Sequence, residues 1–435
     1  MINNSIPELA VIGSFNEGKS SIVATLAEDD SVRVDPAAGE TIKCQTYPLL
    51  TEDGKAINFI DTPGFQNAVS MLAWMKEYQG PCKDILTAFL REHKDNPTFK
   101  NECEIFSSVV RGARIIYVID GSHPITDSAL AEIEILRRTG IPRMAVINFK
   151  KRDTAFLKHL RLELLKNFNS IRQFNAFRAN YADRMALLEC FQRMDEDWQP
   201  EFPSALKAIK LDWDNRNKIA AKMLVLFIKT TLTTTVSIQT QGEEFENSEG
   251  DTLKLRYTNQ IIAFEKIICK KIQALFRHTL NKHEIVYNRY LQEKSLIHEI
   301  QHVEEQSLKK LTFITKARSF IKQSKIPDPN QITIGPIKNI EFMLTLIDRT
   351  LLFYSSIINW SHGRTNWNPK MYSKPISEDL VEYSTKKWDN NDIKISSQFL
   401  KSIHGKNKKN LYIMNKNMHA VFKKYLDRIS GFQHA

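Results

Sequence analysis

Cysteine is scarce in this chain. Five stand among 435 residues (Cys44, Cys82, Cys103, Cys190 and Cys269), and no two have the spacing of a metal clip or a redox pair. That excludes a disulfide framework and a cysteine-built zinc site, and it suits a reducing cytosol. The N-terminus lacks the basic-then-apolar pattern of a secretory leader. Long apolar runs are missing too. The best candidate for a membrane span, Ile219 to Ile238, is interrupted by Lys222, Lys229 and the threonines 230, 231, 233, 234 and 235. A packed amphipathic helix fits that stretch better than a span. No internal repeat is found. Acidic residues are short in one half only. Residues 1–200 hold 24 Lys+Arg against 27 Asp+Glu, a balance of −3, whereas the remainder holds 37 against 23, a balance of +14. The whole-chain charge of +11 therefore comes from the second half. A basic half can sit on nucleic acid or on anionic lipid, or it can be a plain solvated surface.

The apolar fraction of 42% supports ordinary packed cores, and the length predicts two domains. The most informative segment is Gly13-Ser14-Phe15-Asn16-Glu17-Gly18-Lys19-Ser20. Leu9 to Ile12 leads into it as a buried strand, and Ser20 to Ala27 follows as a helix. Two glycines let the backbone curl so that successive N–H groups point at one centre. Those donors and the positive end of the next helix suit a phosphate. Lys19 would reach the β- and γ-phosphates of a nucleotide, and the Ser20 hydroxyl would ligate Mg²⁺. A second buried strand, Ala56 to Ile60, runs into Asp61-Thr62-Pro63-Gly64, with Asp61 standing 41 residues after Ser20. An aspartate at a strand tip beside a phosphate loop can hold Mg²⁺ through water. Gly64 offers a bare N–H to a γ-phosphate, and glycine lets the backbone come that close.

These two motifs resemble the translation-factor-related GTPases of the Era and TrmE type. The resemblance implies GTP or GDP as ligand, Mg²⁺ as cofactor and slow hydrolysis. Ala38-Gly39-Glu40-Thr41 is similar to the switch segment of that family, whose second threonine, here Thr41, binds Mg²⁺. The metal ligands implied are Ser20, Thr41 and Asp61. The residues implied to act on the γ-phosphate are Lys19, Thr41 and Gly64. The implied nucleotide contacts are Gly13, Asn16, Glu17, Gly18, Lys19, Ser20, Ser21 and Asn148. Asn16 matches an asparagine that, in such proteins, helps hold K⁺ against the phosphates. Phe65 stands where other GTPases carry a catalytic glutamine, so water must be positioned by something else. The base-recognition NKxD is altered to Asn148-Phe149-Lys150-Lys151-Arg152-Asp153. Asn148 fits the asparagine, but Phe149 replaces the lysine and Asp153 falls two residues late. A narrower resemblance covers most of the chain. Certain bacterial GTPases with a C-terminal domain of unknown function share the Ile119–Ile125 stretch, the Glu132–Leu136 stretch, the Asn-Phe pair and segments similar to Ile334–Phe342, Leu346–Leu352 and His362-Gly363-Arg364. Their apolar stretch before the Gly-Pro segment has no counterpart here, where Lys316 to Lys325 is charged.

The expected fold is α/β. A P-loop GTPase domain, a mostly parallel sheet flanked by helices, spans residues 1–200, and a basic, mainly helical domain spans 201–435. The fourth strand is expected at Ala113–Asp120 and the fifth at Arg143–Asn148. A helix is expected near Thr154–Lys166, a strand near Ile171–Phe177 and a helix at Asp183–Met194. Helical insertions are expected around Met71–Met75 and Ile85–Leu90, after the switch II position. A linker at Asp197–Pro203 precedes helices near Ser204–Ser237, Thr258–Ser324, Ile340–Trp360 and Asn415–Ile429, with a polar loop at Gln241–Asp251. His298-Glu299-Ile300-Gln301-His302 matches a zinc-protease pattern, but no third ligand lies at a usable distance, so a solvated helical face is preferred. Three functions remain open: a GTPase switch on a membrane- or protein-bound partner, an Era-like binder of RNA in ribosome assembly, and a nucleotide-gated scaffold with little turnover.

Overall fold

Four apolar runs decide the first half of the molecule. In the computed structural model they become parallel strands buried on both faces, as their unbroken Val/Ile/Ala/Phe content requires. The structure describes residues 6–32, 41, 43–149, 155–194, 201–239, 247–278, 331–358, 362 and 384–431. The strands are β1 (Glu8–Ile12), β2 (Gln45–Thr51), β3 (Gly54–Asp61), β4 (Arg114–Asp120), β5 (Arg143–Asn148) and β6 (Ser170–Gln173). Their order is β2-β3-β1-β4-β5-β6, with β2 antiparallel to β3 and every other pair parallel. Leu9, Ala10, Val11 and Ile12 have no exposed surface, nor do Ile115, Ile116, Val118, Met144, Ala145, Val146 and Ile147. This is the mostly parallel α/β sheet expected, flanked by helices α1 (Lys19–Ala27), α2 (Ala68–Glu77), α3 (Ile85–His93), α4 (Lys100–Val110), α5 (Asp127–Arg138), α6 (Leu157–Leu165) and α7 (Tyr181–Gln192).

The insertion after Gly64 contains α2 and α3, near the two places expected for helices. It also contains α4, which the apolar pattern did not single out. An aromatic cluster holds it together. Trp74 meets Phe89 edge-on at 5.2 Å, and Phe99 meets Phe89 at 5.2 Å. The His93 ring lies 4.6 Å from Phe99.

The chain divides into two units. The first takes residues 1–215 with 358–371 and 430–434; the second takes 216–357 with 372–429. Within the first unit, Arg184 donates to Glu28 at 2.7 Å in a buried pair. The second unit is mainly helical. Its elements are the later part of α8 (Glu201–Thr233), α9 (Asn247–Leu275), α10 (Ile340–Ile358), α11 (Asn390–Ile403) and α12 (Lys408–Ser430). It also holds a two-stranded antiparallel ribbon, β7 (Val236–Gln239) with β8 (Gln331–Ile334), which was not expected. The helix thought to reach Ser237 ends at Thr233. The β-branched run Thr233-Thr234-Thr235-Val236 favours an extended chain once a partner strand exists, and that partner lies far away in sequence. Helix α11 was likewise missed, and α12 begins seven residues before Asn415, because its first turns are polar. The helix expected over Thr258–Ser324 is described as α9 up to Leu275. Its remainder, the zinc-protease-like pattern and Lys316–Lys325 lie outside the described residues. Among those described, no helix is long and apolar enough to cross a membrane.

Two sets of buried polar groups in the second unit are paired. Arg349 on α10 donates two hydrogen bonds to Glu265 on α9, each 3.0 Å, and both side chains are less than a tenth exposed. Asn217 donates to Asp427 at 2.7 Å and accepts from the buried Tyr354 hydroxyl. Removing one partner of such a pair leaves a buried charge uncompensated. Arg349→Met should therefore lower the unfolding free energy by about 3–5 kcal/mol, read by urea unfolding. Replacing Glu265 and Arg349 together by methionine should recover most of that loss. A single variant as stable as the parent would contradict the account.

Candidate functional site

The phosphate-binding loop forms as the glycines require. Gly13 has φ +154°, and a Cβ there would stand 2.3 Å from the Val118 carbonyl oxygen, so only glycine fits. Gly18 takes φ 93° at the start of α1, and the exposed Asn16 takes φ 60°. Inside the curl, the Lys19 ammonium donates to the Ser14 carbonyl at 2.7 Å. Lys19 is only 7% exposed, so its charge is held in the loop, not in solvent.

The Asp61 motif lies directly beside this loop. Phe65 N donates to the Gly13 carbonyl at 3.2 Å, and Ser14 and Phe65 form a parallel bridge. Gly64 packs so tightly that a Cβ would meet the Phe15 nitrogen at 2.8 Å. Thr62 donates its hydroxyl to the Val11 carbonyl at 2.7 Å, tying β3 to β1. The sequence places Ser20, Thr41 and Asp61 far apart, and the fold brings them together. Ser20 donates to Asp61 Oδ2 at 2.8 Å and Thr41 donates to the same oxygen at 3.2 Å. Asp61 is 3% exposed, and its Oδ1 is buried with no hydrogen-bond partner. Burial pushes the Asp61 carboxyl above its ordinary value, against the pull of Ser20, Lys19 and Thr41. Of the switch segment Ala38–Thr41, only Thr41 is among the described residues.

Asn148 also links the loop to the rest of the fold. It has no exposed surface, donates to the Glu17 carbonyl at 3.1 Å and accepts from Ala176 N at 3.5 Å. Its amide ties the phosphate loop to the segment after β6. Asn175 was not anticipated; it donates to the Phe149 carbonyl at 3.2 Å and accepts from Phe177 N at 3.0 Å. The Glu17 carboxylate accepts from Asp120 N, so the loop is held from a second side. Phe149, at the lysine position of NKxD, packs partly buried against the apolar core. Asp153 lies outside the described residues. Ser21 is buried, and its carbonyl accepts the Thr25 hydroxyl at 2.8 Å. Phe65 is 4% exposed and lies 5.8 Å from the Phe106 ring, so it is a core residue with no reach to a water.

Two further acids serve this site, and the motifs gave no sign of either. Glu102 on α4 has no exposed surface and accepts from Gln66 N at 2.8 Å and Asn67 N at 2.6 Å. Its neighbour Asn101 donates to the Gly64 carbonyl at 3.0 Å. Helix α4 thus grips the backbone that follows Asp61. Glu132 on α5 accepts from the Ser14 hydroxyl and, at 3.1 Å, from Tyr117. The five thiols are all free, and burial beside Glu104 pushes Cys44 up to about 12, so it is no nucleophile here.

Comparison with known proteins agrees with this geometry. The family described as 50S ribosome-binding GTPase matches residues 8–149. The first half is a P-loop GTPase domain. A second family, described as a domain of unknown function (DUF3482), matches residues 161–296. No curated protein matches the chain. Among solved structures, Aquifex aeolicus Era bound to GDP and aluminium fluoride is 15% identical over 54% of this chain and 72% of its own, with a TM-score of 0.30. Era in complex with MgGDPNP and a piece of 16S ribosomal RNA is 14% identical over 62% and 89%, at 0.33. NFeoB of S. thermophilus bound to GDP, aluminium fluoride and K⁺ is 14% identical over 65% and 92%, at 0.24. None of these superpositions is close enough to carry functional weight.

Burial raises the Glu132 carboxyl to about 7 despite its two hydroxyl donors. A carboxyl raised in the folded state is neutral in both states below its ordinary value. Above about 7 it is ionised in both, and the fold then bears the burial cost. Stability lost over that window should be about 3 kcal/mol. Glu132→Gln should gain on the parent by that amount between about pH 4.5 and pH 8 in urea unfolding of the nucleotide-free P-loop GTPase chain. Parallel pH profiles for the two proteins would refute the assignment.

Proposed function

We propose that this protein hydrolyses GTP with Mg²⁺ and works as a nucleotide-controlled switch on a membrane- or protein-bound partner. One observation carries the reading: two hydroxyls converge on one oxygen of Asp61, while its other oxygen is buried and unpartnered. A buried carboxylate oxygen left alone is costly, and a cation would satisfy it. The donor set fits a hard divalent ion: Ser20, Thr41 and Asp61 are all oxygen ligands. Mg²⁺ held there would neutralise charge on the phosphates. Phosphoryl transfer needs little else beyond position.

The chain's own residues supply the rest. The loop amides between Gly13 and Ser20 would bind the β-phosphate. Lys19 would exchange its Ser14 carbonyl for phosphate oxygens. Thr41 and Gly64 would touch the γ-phosphate, and its loss would release them. Release at Gly64 would be felt at once by α4, because Asn101 holds the Gly64 carbonyl and Glu102 holds the two amides that start α2. This gives the insertion a reason to follow the switch. Asn16 is exposed at the crest of the loop, and by its resemblance it would help hold a K⁺ ion against the phosphates.

Lys19→Ala should weaken GTP binding on the order of 100-fold, since a charge-assisted contact is lost. Fluorescent-nucleotide titration reads this, and unchanged affinity would sink the phosphate-loop assignment. Steady-state hydrolysis should run faster in KCl than in matched NaCl, and Asn16→Ala should erase the difference. Equal rates in the two salts would remove K⁺ from the mechanism.

A further inference from the structure

From Ile393 to Leu426 the chain carries eight lysines and no aspartate or glutamate. Two of them are committed. Lys423 pairs with Asp427 at 2.6 Å, and Lys424 pairs with Asp389 and Asp392 at 2.8 and 2.7 Å. The other six, Lys394, Lys401, Lys406, Lys408, Lys409 and Lys416, are all exposed and make no ion pair among the described residues. Three of them, Lys406, Lys408 and Lys409, crowd where the turn after α11 runs into the start of α12, and every residue from Gly405 to Asn410 is exposed. The N-terminal end of α12 adds the partial positive charge of its backbone to the same place. Lys338 is exposed nearby, because His404 contacts the Ile337 carbonyl at 2.9 Å.

An apolar tip stands in the middle of this charge. Tyr412 is 72% exposed and Ile413 43% exposed. On α12, Lys409 precedes them by three and four residues, and Lys416 follows by four and three. Helical spacing therefore puts all four on one face, with the apolar pair between two lysines. Two adjacent exposed large side chains ringed by lysines form an apolar tip framed by positive charge.

The composition separates the possible anionic partners. Lysine alone provides the charge; no arginine occurs between Ile393 and Leu426. Recognition of nucleic acid favours the planar guanidinium, which forks onto phosphate and stacks on bases. Lysine suits a fluid headgroup layer, where a long stem buries its methylenes and keeps its charge in water. Tyrosine is at home at the boundary between headgroup and acyl chain, and Ile413 gains from burial there but would gain nothing from stacking on a base.

We propose that the Gly405–Asn407 turn and the first two turns of α12 dock this protein on an anionic lipid bilayer. Tyr412 and Ile413 enter the acyl boundary, and the surrounding lysines lie on the lipid phosphates. The site is built wholly within the second unit and does not depend on the nucleotide reading.

The test is co-sedimentation of the full chain with vesicles of phosphatidylcholine alone or mixed with phosphatidylglycerol. The protein should bind the mixed vesicles and leave the neutral ones. Reversing three charges, Lys406→Glu with Lys408→Glu and Lys409→Glu, should weaken binding by about 100-fold or more. Tyr412→Ser with Ile413→Ser should leave low-salt binding but lose it as salt is raised, since only the screened part remains. Every substituted side chain is exposed, so unchanged melting and unchanged GTP binding will confirm intact folding. Binding to anionic vesicles that neither variant alters would overturn the proposal. So would no vesicle binding at all, or a patch that instead binds single-stranded RNA and loses it in the charge variant.

Discussion

Asp61 is an acid folded to 3% exposure at the tip of a central strand, and the surrounding loops are arranged about it. Ser20 from the phosphate loop and Thr41 both donate hydrogen bonds to it. Those two segments are joined through one oxygen atom. Its second oxygen has no partner, which in a dry setting is costly unless something cationic completes the site. The remaining architecture keeps that carboxylate and the loop amides in register. Gly13 curls against Val118, Thr62 pins β3 to β1, and Asn148 and Asp120 hold the loop through Glu17.

Much of this was legible because the motifs carry their own geometry. A strand, a GxxxxGKS loop and a helix can be arranged in few ways, and an aspartate ending a second buried strand falls beside them. What stayed hidden shares one physical feature: it depends on residues distant in sequence and ordinary in type. Glu102 looks like any helix glutamate until α4 lies against Gln66 and Asn67. Glu132 sits in a charged-looking segment, yet it is buried beneath Ser14 and Tyr117. Asn148 reads as a base contact from the motif it half-matches, and its bonds to Glu17 and Ala176 became visible only with the fold. The β7–β8 ribbon was invisible because Val236–Gln239 gains strand character only from Gln331–Ile334.

The second unit follows a different logic. Its interior polar groups, Arg349 with Glu265 and Asn217 with Asp427, are satisfied in pairs, so they read as fixtures of helix packing and carry no open valence. Six exposed lysines near Tyr412 make no ion pair among the described residues. A uniform excess of +14 across this half would have signified little. Three lysines crowded beside two exposed apolar side chains give part of that excess a direction.

The central claim is that Asp61 completes a divalent-cation site on the nucleotide. GTP affinity measured across a Mg²⁺ titration, for the parent and for Asp61→Asn, tests it most directly. The parent should bind GTP at least about tenfold more tightly with Mg²⁺ than without it. Asp61→Asn should keep the Mg²⁺-free affinity and lose most of that gain. A variant that retains the full Mg²⁺-dependent gain would contradict the account.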